Sequence, residues 1–302
     1  MSSAKGMPPA ELVLRPVVFG CVLLVRLLPP SWFGWFATCL VVIAGPFLRT
    51  ERRNLRRNVH RILDLPPHSE FSRTFEKQVI RHQVIAGLEA LRASWNPDLV
   101  RFEGLEAYGE YARKTFAGGR GFVVVTAHAG CWEFVATTGA RVSGRPFHAL
   151  AKPAPFPFLT RRLEAMRKRQ HVNILWTNGP RILRDMLACL KSGNILGFVM
   201  DQKPENRQGH KVPFFGRPTD FVSGPARMAL KTSSPVLGVF CMRTGPWRYR
   251  IICEELFHPD NSGATEAELT ASMAGAIEKI VQNYPEQWTW NYRRWKFTAP
   301  SS

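Results

Sequence analysis

The sequence is short of acidic residues. It has 23 Asp and Glu against 41 Lys and Arg, which leaves a formal net charge of +18 over 302 residues. An excess of this size points to an anionic partner: nucleic acid, a phospholipid surface, a phosphorylated substrate or an acidic protein. The chain contains no nucleic-acid-binding motif, and its basic residues stand among apolar ones. A membrane surface and a phosphorylated lipid are therefore favoured, and no nucleic-acid partner is expected.

Cysteine is also sparse, and its spacing excludes several kinds of site. No C-x-x-C pair and no metal-ligand spacing occurs, and each cysteine lies among apolar residues. We therefore predict reduced thiols in the core of a cytosol-facing protein, with no metal site and no cofactor. Internal repeats and low-complexity tracts are absent as well. The six cysteines are Cys21, Cys39, Cys131, Cys189, Cys241 and Cys253.

Long hydrophobic runs are confined to the first 48 residues. Leu12–Leu28 is interrupted by two arginines and Trp32–Leu48 carries no charge; each is about 17 residues long, at the short limit for crossing a bilayer. No small-residue cleavage site follows, so a cleaved signal peptide is not expected. The runs form either a single anchor or re-entrant pair, or two helices that pack on the domain and bury one face in lipid. Residues 1–48 are thus predicted to be membrane-associated helices, and residues 49–302 to form the main domain.

A basic amphipathic helix is predicted directly after these runs. Its arginines recur at helical i, i+3, i+4 spacing on one side, while Leu55, Val59 and Ile62 lie on another. This pattern favours contact with anionic headgroups and, by the positive-inside rule, a cytoplasmic location. The alternative is an ordinary solvated charged helix. The arginines are Arg49, Arg52, Arg53, Arg56 and Arg57.

The most informative stretch is 121–133. Residues 122–126 are apolar and β-branched, which predicts a buried strand, and His128 follows where that strand should end. Gly130 permits a turn, and Glu133 falls at the start of a predicted helix. On a continuous helix, residues five apart lie about 140° apart, but the turn lets His128 and Glu133 meet. A carboxylate bonded to one ring nitrogen would leave the other as a base. The alternative is a core histidine bonded to a backbone carbonyl.

The segment His128-Ala-Gly-Cys-Trp-Glu133 resembles the H-x4-D/E motif of glycerolipid and lipid A acyltransferases. Its surroundings resemble the lipid A late (secondary) acyltransferase family of the lauroyl and myristoyl transferase type, with the common form T-x-H-x-G-N-W-E. Further matches are Arg53-Asn-Leu55, the V-x-F-F-G-x-P block at 212–218 and P-E-Q-W at 285–288. The resemblance covers most of the chain.

Three positions depart from the family pattern. Cys131 stands where the family usually has Asn, Lys152 where Arg is usual, and Tyr292 where His is usual. A second catalytic histidine is therefore not carried over, and the three departures bear on the identity of the acceptor rather than on the reaction type. Cys131 is an alternative nucleophile in a Cys-His arrangement, although no acyl-enzyme step is expected in the family.

After residue 100, predicted strands and helices alternate. We therefore predict an α/β fold with a mixed sheet flanked by helices and an N-terminal membrane-associated helical segment. Asp201 and Gln202 follow a buried strand, where open α/β sheets place ligand sites. Ser223 is expected to cap a helix whose free N–H groups suit a phosphate. The predicted substrate-binding residues are Lys152, Arg161, Asp201, Gln202, Ser223 and Arg227, with Arg162 and Arg167 as alternatives to Arg161; Phe214, Phe215 and Phe221 are expected either to line an acyl chain or to belong to the core.

The resemblance implies an O-acyltransferase in which His128 is the general base and Glu133 orients it. It implies an acyl-carrier-protein thioester as donor, a phosphorylated acyl-glucosamine lipid such as a lipid A precursor as acceptor, and a catalytic domain on the cytoplasmic face of the inner membrane. A competing interpretation is acyl-CoA-dependent acylation of another lipid, such as a mannosylated inositol phospholipid. A thioester hydrolase and a non-enzymatic lipid-binding membrane protein also remain open.

Overall fold

The computed structural model describes residues 9–66, 69–204, 209–260 and 263–295. The helices in these ranges are α1 (Pro9–Leu27), α2 (Phe33–Ala44), α3 (Arg49–Leu63), α4 (Glu70–Ala93), α5 (Leu105–Ala117), α6 (Trp132–Ser143), α7 (Pro157–Lys168), α8 (Ile182–Lys191), α9 (Gly224–Thr232) and α10 (Glu266–Asn283). The strands are β1 (Arg101–Glu103), β2 (Phe122–Thr126), β3 (Phe147–Ala151), β4 (Val172–Trp176), β5 (Ile195–Val199), β6 (Gly209–Phe214), β7 (Arg217–Val222), β8 (Val236–Gly245) and β9 (Arg248–Phe257).

A seven-stranded mixed sheet organises the fold, in the order β1-β9-β8-β2-β5-β3-β4. Strands β8, β2, β5, β3 and β4 are parallel, whereas β9 is antiparallel to β8 and β1 is parallel to β9. Strands β6 and β7 form a separate hairpin. The predicted α/β fold with a mixed sheet flanked by helices is therefore confirmed.

The central strand β2 is buried on both faces. Val123 and Val125 belong to one core cluster, and Phe122 and Val124 belong to the other, as the alternation of side chains along a strand requires. Two layers of helices therefore cover the sheet. This explains why β2 is continuously apolar rather than alternating with polar residues.

The register of β2 and β5 brings two polar residues together. Thr126 pairs with Val199, so the two parallel strands end side by side. His128 and Asp201 each lie two residues beyond these ends. The carboxyl edge of the sheet thus places them at the same height.

The N-terminal helices pack against α4. Phe33 and Val25 form a small core cluster with partly buried Leu88 and Trp247. The second apolar run is helical but broken: short 3₁₀ turns at Pro30–Trp32 and Gly45–Phe47 flank the 12-residue α2. By length and composition alone, Pro30–Phe47 is one candidate membrane span in the described part of the chain. The division of the chain at residue 48 remains a prediction.

The arginines of α3 differ in the contacts that they make with the rest of the domain. Arg52 and Arg56 both bond to Glu76 of α4, whose side chain is 2% exposed, and Arg57 donates to the carbonyl oxygen of Trp295 at 3.1 Å. Three of the five arginines therefore also hold α3 to the domain. Headgroup contact by the five remains a prediction, and Arg49, Arg53 and Arg56 are the exposed members of the set.

Candidate active site

His128 forms a hydrogen-bonded pair with Asp201. Its Nδ1 lies 2.7 Å from Asp201 Oδ1, and its backbone N–H donates to Asp201 Oδ2 at 3.0 Å. The Trp288 Nε1–H donates to the same Oδ2 at 2.7 Å. Because a carboxylate accepts the Nδ1 proton, the neutral ring keeps a lone pair on Nε2. The arrangement fixes the tautomer and orientation of the imidazole.

The structure gives the orienting contact to Asp201 and not to Glu133. Glu133 instead accepts two hydrogen bonds from Arg167 of α7, one of them from Nε at 3.0 Å. The expected His128–Glu133 hydrogen bond is therefore corrected. The reason is geometric: Glu133 lies in the first turn of α6 and contacts α7, while Asp201 lies two residues beyond the end of β5, the strand next to the one that leads to His128.

The electrostatics of the pair favour its charged form. Burial lowers the pKa of His128, but the charge and hydrogen bond of Asp201, helped by the charge of Glu133, outweigh burial and raise it above 6.5. Burial raises the pKa of Asp201, but the charge of His128 and the hydrogen bonds from His128 and Trp288 hold it below its ordinary value. His128 is thus a stronger base than a free imidazole.

The loop that carries His128 is held by the C-terminal segment. Gly130 has φ +58° and donates its N–H to the Gln287 carbonyl oxygen at 2.9 Å. A Cβ at this position would lie 2.0 Å from the Cys241 carbonyl oxygen, so only glycine fits. The backbone N–H and the hydroxyl of Thr289 both donate to the His128 carbonyl oxygen, at 3.0 and 3.1 Å. The P-E-Q-W segment therefore positions the site.

A buried ion pair between Glu89 and Arg243 supports the P-E-Q-W segment. Glu89 is 0% exposed and accepts two hydrogen bonds from the Arg243 guanidinium, each at 2.9 Å. The side-chain amide of Gln287 in turn makes two hydrogen bonds with the backbone of Arg243. Its Oε1 accepts from the Arg243 N–H and its Nε2 donates to the Arg243 carbonyl oxygen, each at 2.9 Å. Sequence reasoning missed this network and Trp288, because each contact joins residues more than 40 positions apart.

A cavity of about 550 Å³ opens beside His128. Polar side chains line the cavity near His128. Apolar side chains line the rest of the wall, which follows β3 back to its first residue, Phe147, and reaches Val172, the first residue of β4. From Ala151 back to Phe147 this path is about 13 Å, at about 3.3 Å per residue. The polar members are Thr126, His128, Glu133, Lys152, Arg167, Thr177, Gln202 and Lys203; the apolar ones include Trp132, Val135, Ala136, Leu150, Met186, Phe198 and Val222.

Some of the predicted substrate residues reach this cavity. Gln202 lies with its Nε2 3.5 Å from His128 Nε2, and Lys152 is in the wall. Asp201 acts through His128 rather than facing the cavity. The basic residue that α7 contributes to the wall is Arg167, whereas Arg161 is exposed on the same helix.

Ser223 and Arg227 form a separate cluster. Ser223 precedes α9 but makes no capping hydrogen bond; its Oγ accepts from Arg227 Nη2 at 3.1 Å. Arg227 also makes a two-pronged ion pair with Glu266, at 3.0 and 3.1 Å. The expected cap is therefore wrong: Ser223 has near-helical backbone angles (φ −94°, ψ −3°) instead of the extended ones typical of a capping residue. The helix start still contributes Gly224 and Pro225 to the cavity wall.

Burial decides the roles of Cys131 and of the aromatic residues in the β6–β7 hairpin. Cys131 is 3% exposed, and burial raises the pKa of its thiol far above the ordinary value, so it is not set up as a thiolate nucleophile. Phe214 and Phe221 are fully buried; their rings contact each other, and Phe214 also packs against Trp288 and Trp295. They belong to the core and not to a wall for an acyl chain.

Comparisons with known proteins point in one direction. A family model described as bacterial lipid A biosynthesis acyltransferase matches residues 12–297. A phosphatidylinositol mannoside acyltransferase of Mycolicibacterium smegmatis is 27% identical over 179 residues, 59% of this chain and 57% of that protein. The enzyme of that name from Mycobacterium tuberculosis H37Rv is 23% identical over 66% of this chain and 71% of its own length. A lipid A biosynthesis palmitoleoyltransferase of Escherichia coli K12 is 25% identical over 89% of this chain and 86% of its own length.

Proposed function

Because the chain belongs to the family of bacterial lipid A biosynthesis acyltransferases, we propose that it transfers a fatty acyl group from a thioester to a hydroxyl group of a glycolipid. The observation that carries this proposal is the His128–Asp201 pair at the polar end of a largely apolar cavity. A base beside an apolar channel is what ester formation from a fatty thioester requires. Acyl transfer is the reaction of the family. For this chain we propose the acyl donor, the acceptor lipid and the roles of the individual residues.

In the proposed reaction a single group, His128, acts first as general base and then as general acid. His128 Nε2 removes the proton of the acceptor hydroxyl while its oxygen attacks the thioester carbonyl carbon. The tetrahedral intermediate then breaks its C–S bond, and the leaving thiolate takes the proton from the imidazolium, giving an ester and a thiol. A positioned general base typically contributes about 10²–10⁴-fold in rate. The raised pKa of His128 makes its Nε2 a stronger base than that of a free imidazole.

Asp201 is the positioning residue in this scheme. It holds the ring through Nδ1 and stabilises the imidazolium that forms after proton removal. Glu133 adds negative charge near the ring and fixes Arg167 at the cavity wall. Gln202, with its amide 3.5 Å from Nε2, is placed to contact the reacting hydroxyl or the developing oxyanion.

The apolar part of the cavity takes the acyl chain. Gly197 lies in its wall, where a Cβ would come 2.3 Å from the Phe147 ring, so the channel is closely packed there. Burial of each chain methylene contributes about 0.8 kcal/mol. The thioester would enter from the polar end, where Lys152 and Lys203 lie.

The proposed donor is an acyl-carrier-protein thioester and the proposed acceptor is a phosphorylated glycolipid such as a lipid A precursor. Acyl carrier proteins are acidic, which agrees with the net charge of +18. The specific observation for a second candidate is the similarity to the two phosphatidylinositol mannoside acyltransferases, which favours a mannosylated inositol phospholipid as acceptor. The donor proposed with that acceptor is acyl-CoA. We place the enzyme at the cytoplasmic face of the inner membrane.

Mass spectrometry of reaction products tests the proposal. Detergent-purified full-length protein is offered lauroyl and myristoyl carrier-protein thioesters and the matching acyl-CoA, each with a tetra-acylated lipid A precursor or a phosphatidylinositol mannoside. We expect one added acyl mass, which His128→Ala abolishes and the matched control His60→Ala, at an exposed histidine of α3, preserves. Free fatty acid alone would identify a hydrolase. Donor left intact with every acceptor would favour a lipid-binding protein.

A further inference from the structure

The start of α2 is fixed to the catalytic domain. The Trp247 Nε1–H donates to the Pro30 carbonyl oxygen at 3.1 Å. The Trp247 ring also meets Phe33 edge-to-face at 4.7 Å, and Phe33 is 1% exposed. Trp247 lies in the turn between β8 and β9, two strands of the main sheet. The amino end of the candidate span is therefore attached to the domain.

The middle and end of the same span are attached too. Arg81 of α4 donates to the Gly34 carbonyl oxygen at 3.4 Å and to Thr38 Oγ1 at 3.2 Å. Helix α3 follows after Leu48, and its Arg52 pairs with Glu76, again on α4. Both ends of α2 thus lie against one helix of one domain. They cannot lie on opposite sides of a bilayer unless α4 crosses it as well.

The dimensions agree with this conclusion. Within the 18-residue candidate span, the continuous α-helix is the 12-residue α2, about 18 Å long at 1.5 Å per residue, with a 3₁₀ turn at each end. A bilayer core is about 30 Å thick. Helix α4 carries charged residues along its length, including buried Glu76 and Glu89, which are paired within the domain.

The opposite face of the N-terminal helices is exposed and apolar. On α2, Trp35, Val42 and Ile43 are 64–71% exposed. An apolar surface of this extent marks a binding face, and interfacial tryptophan beside arginine is typical of a membrane surface. The Arg162 guanidinium lies 5.4 Å from the Phe19 ring, which puts α1 beside α7 and hence beside the cavity. The other exposed members are Leu12, Val17, Phe19, Leu23, Leu24, Leu27, Trp32 and Phe47.

From these contacts we infer that α1 and α2 lie within one leaflet of an anionic membrane, along its surface, and do not cross it. The domain then rests on that leaflet, with α7 and the cavity beside it. This inference concerns attachment and does not depend on the proposed chemistry. A crossing helix would overturn it while leaving the acyl-transfer proposal standing.

Cysteine labelling in sealed vesicles tests the topology. In full-length protein with Cys21→Ala, Cys39→Ala and Cys253→Ala, which leaves only the buried thiols of Cys131, Cys189 and Cys241, one accessible cysteine at a time is placed at an exposed position, as Ser31→Cys, Thr50→Cys or, on the catalytic domain, Ser192→Cys. The protein is added to preformed vesicles of phosphatidylethanolamine and phosphatidylglycerol that contain a membrane-impermeant maleimide. We expect none of the three to react with the trapped reagent, and Ser192→Cys to react with reagent added outside. Reaction of Ser31→Cys with the trapped reagent would show a span and overturn the inference.

Vesicle binding tests which face is in the lipid. Trp35→Ala and Ile43→Ala should each weaken binding to these vesicles about tenfold, because each removes a large apolar side chain from the buried face. The control Leu183→Ala removes an exposed leucine of α8 and should leave binding unchanged. If the two α2 variants bind as wild type but abolish a dimer seen by sedimentation, the face belongs to a second copy of the chain, and the inference fails.

Discussion

At the scale of single residues, the site depends on the difference between the two nitrogens of His128. Asp201 holds Nδ1, and Nε2 lies next to the Gln202 amide at the cavity. Asp201 is 2% exposed and accepts three hydrogen bonds, so it cannot turn away to water. The imidazole is therefore held in one orientation, which is what the proposed general base requires before substrate binds.

The pH dependence of turnover follows from the charges around His128. Only the neutral imidazole accepts a proton, so kcat/KM should rise with pH through the pKa of His128, which lies above 6.5. Glu133 contributes to that raised pKa, so Glu133→Gln should move the inflection to lower pH. A pH–rate profile of both proteins checks this. An inflection that stays in place in Glu133→Gln would contradict the electrostatic role of Glu133.

The thiol of Cys131 should be dispensable for chemistry. It is buried, its pKa is raised, and its Sγ lies 3.8 Å from the Ala86 carbonyl oxygen, away from solvent. Cys131→Ala should keep kcat within about tenfold while losing up to a few kcal/mol of stability from the small cavity it leaves. Steady-state kinetics on the folded variant provide the check. Complete loss of turnover with an intact fold would favour a cysteine nucleophile.

The sequence predicts only part of this arrangement. His128 can be singled out because an imidazole at the end of a buried strand has few structural reasons to be there. Asp201 is also predicted at a strand end, but its partner depends on β2 and β5 being neighbours, which no local pattern reveals. Glu133 is close to His128 in sequence, which favours pairing the two, whereas its actual partner Arg167 is 34 positions away.

At the scale of elements, the turn between β2 and α6 is the feature on which the site depends. Its geometry is set by a left-handed glycine and by backbone hydrogen bonds from the C-terminal segment. The glycine in the H-x-G pattern could be predicted to turn the chain. The contact that makes it obligatory, the Cys241 carbonyl oxygen on β8, could not.

Gly130→Ala tests this turn. The new Cβ would overlap the Cys241 carbonyl oxygen, so the loop must move and both stability and turnover should fall sharply. Gly144→Ala is a matched control, since Gly144 also has a positive φ, +65°, but its Cβ would meet nothing within 4 Å. It should cost only the backbone strain, about 1–2 kcal/mol. The measurements are the free energy of unfolding in denaturant and the turnover of both variants. Equal losses of stability and turnover in the two variants would argue against the steric role of Gly130.

At the scale of the whole molecule, charge and apolar surface are distributed unevenly. The sequence predicts a basic protein with an apolar N-terminus, and both features are present. It does not reveal that α2 packs on α4, or that Arg52 and Arg56 have an acidic partner there. Packing between helices depends on three-dimensional contacts that periodicity alone does not encode.

Membrane affinity should depend on the exposed arginines of α3. Arg49→Gln and Arg53→Gln should each weaken binding to vesicles containing phosphatidylglycerol by about fivefold, since a basic residue near an anionic surface contributes about 1 kcal/mol. The effect should shrink at high salt. Arg184→Gln, at an exposed arginine of α8, serves as the control. Equal effects of all three substitutions in a sedimentation assay would mean that α3 has no special contact with the membrane.

The central claim is that Asp201, and not Glu133, orients the catalytic histidine. The most direct measurement is the single-turnover rate of acyl transfer for Asp201→Asn and Glu133→Gln, each at the optimum of its own pH profile. We predict a loss of about 10²–10⁴-fold for Asp201→Asn, because the amide cannot hold the Nδ1–H tautomer as a carboxylate does, and a much smaller loss for Glu133→Gln. The reverse order would contradict the account and return the orienting role to Glu133.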